Sequence, residues 1–260
     1  MRMFYLLMLL LLPLSAHAAP VVDEDESVLD AIQREGVLKV CTTGDYRPFS
    51  FFDPRTHEYQ GIDIELAHHL AASLGAKAQF IPSTWASLVS DLRAGKCEIA
   101  MGGVSVSLNR QKQAYYSIPY LRDGKTAIAR CEHVDKLQTL QQIDRPKITV
   151  IVNPGGTNES FVRSTIKNAR IIVYPDNNTI FEQLLAGRAD VMLTDAIETR
   201  LQQKLHPGLC AVHPEAPFTF SEKAYLLPRG DDIFKQYVDQ WLRQQENNGG
   251  LRETIDMGMR

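Results

Sequence analysis

The stretch MLTDAIETR, residues 192–200, sets Asp195 and Glu198 three positions apart, directly after an apolar run. On a helix starting there the two carboxylates share one face. Three kinds of chemistry fit such a pair. Asp195 at the N-cap with Glu198 at N3 makes a variant of the capping box, a purely structural device. The same pair clamps a positively charged ligand. Alternatively, burial and the charge of Asp195 keep Glu198 protonated as a proton donor, against the opposing pull of a helix N-terminus. Spacing alone leaves all three open.

Three other segments carry groups of a complementary kind. GGVSVSLNR, residues 102–110, brings Ser105 and Arg110. A guanidinium at a helix start grips a carboxylate bidentately, which an ammonium cannot; the plainer reading is a solvated helix arginine. NPGGTNE, residues 153–159, opens a helix with Asn153, Gly156 and Thr157. Its bare backbone N–H groups suit an anion. It is not a phosphate loop, because no Gly-Lys-Ser/Thr follows; an ordinary Gly turn capped by Thr157 fits equally. GDYRPFS, residues 44–50, offers Tyr46 and Phe49 on a loop stiffened by Pro48, and Trp85 follows FIPST. Such aromatics either wall a cleft or pack in a core.

These segments sit at the ends of predicted strands. Apolar runs at 37–43, 77–82, 98–103, 147–152, 170–175 and 190–194 alternate with helical patterns, notably 63–75, 84–95, 179–187 and 196–205. That order predicts βα units and mostly parallel sheets. DLRAGKCEIAMGG (91–103) echoes QLLAGRADVMLTD (183–195). The repeat predicts two similar α/β lobes, with residues 28–129 plus 222–260 in the first and 130–221 in the second. The chain is expected to cross between them near 127–132 and 218–224. Open α/β sheets take their ligands beyond the carboxyl ends of the strands, where the polar segments lie.

The 260-residue chain is 44% hydrophobic, with 28 Lys and Arg scattered among 31 Asp and Glu, so no basic stripe suggests nucleic acid. Residues 1–18 read as a cleaved signal peptide: Arg2, a short apolar core, then Ala16-His17-Ala18. The apolar run is shorter than the ~20 residues that span a bilayer. The product is expected to be exported and free of the membrane, where disulfides form. Cys131 and Cys210 flank one block and are expected to close it. Cys41 falls late in one predicted strand and Cys97 early in another; as parallel neighbours they would lie too far apart to bond. No spacing resembles a zinc site, and His68 and His69 point in different directions on a helix, so no metal is expected.

Taken together, these segments resemble the periplasmic polar amino acid-binding proteins, a family of two-lobed type II solute-binding proteins. TTGDYRPFS, SIPYLRDGKT, VNPGGTNE, TDAIE, LHPGLCAVHP and EKAYLLPR are more closely similar to its enzymatic branch, the cyclohexadienyl dehydratases. The resemblance implies conversion of prephenate to phenylpyruvate and of arogenate to phenylalanine, without a cofactor. It implies Glu198 as the catalytic acid, with Asn153 and Gly156 as further marks of the enzyme. It implies that Arg110, Gly156, Thr157 and Lys125 hold carboxylates, with Ser105 beside them. Tyr46, Phe49 and Trp85 would wall off the ring, and Asp195 would take an ammonium. Cys41 and Cys97 are not part of the pattern. The alternative is a non-catalytic amino acid-binding subunit of an importer; a homo-oligomer is open in either case. If Arg110 grips a carboxylate equally in ground and transition states, Arg110→Lys raises the Michaelis constant with little change in kcat. Unchanged steady-state kinetics would place it outside the site.

Overall fold

The computed structural model describes residues 26–260; the expected signal peptide over 1–18 lies outside them. Two five-stranded sheets organise the chain. In the first, the order is Lys77–Pro82, Val37–Thr42, Ile99–Ala100, Leu226–Leu227, Tyr115–Tyr116. In the second, it is Arg170–Val173, Thr149–Val152, Val191–Asp195, Lys125–Arg130, Leu209–Val212. The central strands carry buried apolar runs, Val150–Val152 and Val191–Leu193, as α/β strands covered on both faces do. Helices cover both sheets. From them Leu66, Leu70, Trp241 and Leu242 pack into the first core, and Ile143 and Val162 into the second.

The repeat seen in the sequence is structural. Helices Leu88–Arg93 and Ile180–Leu185 both end in a left-handed glycine, Gly95 (φ 69°) and Gly187 (φ 70°). Glu98 and Asp190 then occupy matching places: each accepts a hydrogen bond from the backbone N–H of the neighbouring strand, at Lys39 and Thr149 respectively. The first of these helices begins later than its apolar spacing predicts. Thr84 and Ser87 exchange side-chain and backbone hydrogen bonds, which makes a turn and leaves Trp85 outside the helix.

Four strands of each sheet run in one direction and one opposes them. The opposing strands, Leu226–Leu227 and Lys125–Arg130, each follow a crossing between lobes. The crossings themselves, Leu121–Asp123 and Ser221–Lys223, pair antiparallel as a two-stranded hinge. Chain that crosses here enters the far sheet from its ligand-binding edge, so it runs against the βα strands. The second crossing lies within the expected 218–224. The first comes earlier than 127–132, because Lys125 to Ala129 already pairs with Val191–Asp195. Residues 125–129 therefore belong with the second sheet, not the first.

Both cysteine pairs are bonded. Cys131–Cys210 closes the second lobe, with a Cα separation of 4.8 Å. Cys41–Cys97 is also formed, at 5.6 Å, against the expectation from sequence. The error lay in placing Cys97 inside a strand. The strand starts at Ile99, and Cys97 lies in the turn returning from the helix that packs on the sheet face. Cys41 points to that same face, among Leu88, Leu92 and Cys97. Non-reducing peptide mapping should recover Cys41–Cys97 and Cys131–Cys210 and no crossed pairs. Replacing either pair by serine should cost up to about 4 kcal/mol through loop-closure entropy, read as a lowered melting temperature.

Candidate active site

Asp195 ends the strand Val191–Asp195 and stands at the start of the helix Ala196–Leu205. The antiparallel register sets Lys125 directly opposite it. Lys223 arrives from the second crossing. Asp195 Oδ1 accepts from Lys125 Nζ at 2.6 Å, and Oδ2 accepts from Lys223 Nζ and from the Tyr46 hydroxyl, both at 2.5 Å. Lys125 spends its other protons on Thr157 Oγ1, at 3.0 Å, and Asn158 Oδ1. Lys223 also reaches Gly103 O at 3.1 Å and Ser105 Oγ at 3.0 Å.

This arrangement corrects two expectations. There is no capping box: Asp195 makes no cap hydrogen bond. The Ile197 N–H is taken instead by Asp123 Oδ1, at 3.3 Å, from the first crossing. Two ammonium groups outbid an amide for a buried carboxylate. Asp195 Oδ2 takes two donors and Oδ1 one, so an incoming ammonium would share Oδ1 with Lys125. Lys125 in turn has no proton left for a ligand carboxylate.

Burial alone would raise the Asp195 pKa, but Lys125 and Lys223 outweigh it and hold the carboxyl well below its usual range. Burial, then the charge of Asp195, pushes the Tyr46 phenol well up, so it remains a donor. Glu198 behaves oppositely. It is 1% exposed, and its one hydrogen bond within the described residues joins Oε2 to the Thr194 hydroxyl. Burial pushes its pKa up to about 8; the Thr194 bond opposes this and the Asp195 charge adds to it. At neutral pH Asp195 is thus a carboxylate and Glu198 a neutral carboxyl. Asp123, a third carboxyl group, lines the hinge groove.

A narrow cleft opens between the lobes. Tyr46, Trp85, Gly103 and Ser105 line it from the first lobe; Asn153, Gly156, Thr157, Asn158 and Asp195 line it from the second. The Trp85 ring stands edge-on to Tyr46 at 5.6 Å and donates through Nε1 to Asp45 at 3.1 Å. The other residues singled out from sequence stand one layer away. Phe49 is fully buried behind Tyr46. Arg110 is at the rim, bonded to Ser105 O at 3.3 Å with its guanidinium 6.0 Å from the Trp85 ring. Glu198 is nearly fully buried and is not itself among the lining residues. Lys223 and Asn158 went unrecognised in the sequence. Their only signal was position: one ends a crossing strand, the other falls inside NPGGTNE. Among the described residues no cluster of side chains could hold a metal ion.

Residues 38–256 match the profile of the bacterial extracellular solute-binding proteins, family 3. A curated relative, the cyclohexadienyl dehydratase of Pseudomonas aeruginosa, is 56% identical over 245 residues, covering 94% of this chain and 90% of that one. The L-cystine-binding protein TcyJ of Escherichia coli K12 is 27% identical over 229 residues, covering 88% and 84%. Among solved structures, an ancestral amino acid-binding protein described as a precursor of cyclohexadienyl dehydratase superposes with a TM-score of 0.83 at 32% identity, covering 90% of this chain and all of that one. An ancestral cyclohexadienyl dehydratase gives 0.57 at 50% identity, covering 90% and 97%.

The raised Glu198 pKa makes stability fall with pH. Between the ordinary value of 4.5 and about 8, the folded state keeps a proton that the unfolded chain has released. The penalty begins near the lower value and is complete above the upper one. Glutamine does not titrate. Thermal melts of wild type and Glu198→Gln should therefore diverge in favour of the variant as pH rises through that window, then run parallel. A constant difference would mean an ordinary glutamate.

Proposed function

The chain belongs to the bacterial extracellular solute-binding proteins, family 3, and we propose that within it this protein is a periplasmic cyclohexadienyl dehydratase. Its substrates are prephenate and arogenate, and its products phenylpyruvate and phenylalanine. The observation that carries this reading is the contrast between two carboxyls three residues apart. Asp195 is ionised and fully engaged by two lysines, while Glu198 is kept neutral beside it. A neutral carboxyl kept next to a charged one suits a substrate that must receive a proton, which a simple binder does not need. The relative at 56% identity supports the same assignment.

The reaction balances with one proton. The ring carbon–carboxylate bond breaks and releases carbon dioxide. Its electron pair enters the ring and completes the aromatic system. The carbon–hydroxyl bond breaks at the far side of the ring, and Glu198 protonates the departing oxygen, which leaves as water. Glu198 is left as a carboxylate and is reprotonated from solvent. General acid assistance of this kind is worth ~10²–10⁴-fold. In this reading a substrate carboxylate is held by the first N–H groups of the helix Thr157–Thr165 and by Gly156, with Arg110 nearby; that Gly156 and Thr157 line the cleft at a helix start supports it. Tyr46 and Trp85 cover the ring and keep water away from it.

Turnover is followed by absorbance of the aromatic product against a no-enzyme control at neutral pH or above, because prephenate aromatises in acid. Glu198→Gln keeps size and hydrogen bonding and should lose two or more orders of magnitude in kcat, with substrate binding retained. In wild type, kcat/KM should fall as pH rises through about 8, where Glu198 ionises. Tight amino acid binding without turnover would favour the importer subunit instead.

A further inference from the structure

The side chains behind the cleft wall form a hydrogen-bond chain whose direction can be worked out from one end. Lys125 Nζ has three protons and no lone pair, so the atom of Asn158 that it meets is Oδ1. That orients the Asn158 amide. Nδ2 then donates one proton to Asn153 Oδ1 at 3.0 Å and the other to Thr194 Oγ1 at 2.9 Å. Thr194 Oγ1 is an acceptor here, so its own proton is directed elsewhere. Glu198 Oε2 is the one acceptor that it meets among the described residues. Thr194 is fully buried, so no solvent competes for that proton.

We propose that Thr194 is a positioning residue that confines the transferable proton of Glu198 to Oε1. A neutral carboxyl that accepts on Oε2 carries its proton on Oε1. That oxygen has no hydrogen-bond partner among the described residues and is free to deliver to a ligand. Once the proton has gone, the Thr194 hydroxyl stabilises the carboxylate left behind. The chain thus runs from the charge of Lys125 to the acid, through Asn158 and Thr194, without Lys125 touching the substrate. The inference rests on the reading of Glu198 as the acid.

Thr194→Val keeps the shape and removes the donor. Its kcat should fall about ten- to hundred-fold, the worth of a hydrogen bond to a developing charge, with KM little changed. The alkaline limb of kcat/KM should move to higher pH, because the Glu198 carboxylate has lost a stabilising donor. Thr194→Ser retains the hydroxyl and should restore both the limb and most of the turnover. A purely structural threonine would lower the melting temperature without moving the limb. A Thr194→Val limb that stays put, or a Thr194→Ser limb that shifts, overturns the proposal. Should the valine variant fail to fold, Thr194→Ala carries the same expectation. Glu198→Gln is measured alongside: normal turnover there would remove the acid itself, whereas an inactive Glu198→Gln with an unmoved Thr194→Val limb removes only the role of Thr194.

Discussion

One buried carboxylate, Asp195, ties together both lobes and both crossings. Lys125 is the first residue of the strand that follows one crossing, Lys223 the last residue of the other, and Tyr46 comes from a short strand of the first lobe. Withdrawing three such charges from water costs several kcal/mol per ion, and a hydrophobic replacement is often as stable. The triad is therefore a poor device for stability. It is a good one for fixing geometry, because each lysine has its protons spent on named acceptors and neither can swing away without leaving a charge buried and unpaired.

The same triad explains why two carboxyls on one turn of helix differ so much in acidity. Asp195 faces two ammonium groups at hydrogen-bond distance; Glu198 is fully buried and meets a single hydroxyl. Their environments push the two pKa values apart, the usual arrangement when one carboxyl is to be charged and the other to supply a proton. The capping role that the pair advertises passes to Asp123 on the hinge. Asp195 can take up its charged role because another carboxylate relieves it at the helix start.

The fold sets these groups at one place by simple topology. Strands of an open α/β sheet end at the cleft, so the segments after them supply Thr157, Asn153, Gly103 and Asp195 to a shared surface. The crossing strands enter from that same edge, which is why lysines at their ends reach the strand-end aspartate. The repeat of Gly95 with Glu98 and Gly187 with Asp190 shows the two lobes using one local design to turn a helix back into its sheet.

The sequence by itself determined the elements, the two-lobed order and the Cys131–Cys210 pairing. It also brought out most of the residues that line the cleft, including Tyr46, Trp85, Ser105, Asn153, Gly156, Thr157 and Asp195. Those follow from periodicity, turn residues and position at strand ends, all local properties. What escaped it was long-range. Whether Cys97 meets Cys41 depends on a turn folding over a sheet face, and whether Arg110 lines the cleft or its rim depends on how Ser105 and Trp85 pack beside it. Lys223 lies 28 residues from Asp195 and 177 from Tyr46, and nothing in its own neighbourhood marks it as their partner. The acidity of Glu198 was likewise undecided between burial and the helix start. Only the tertiary structure decided it, because burial and charge are set by what surrounds a group in space, and spacing along the chain records neither.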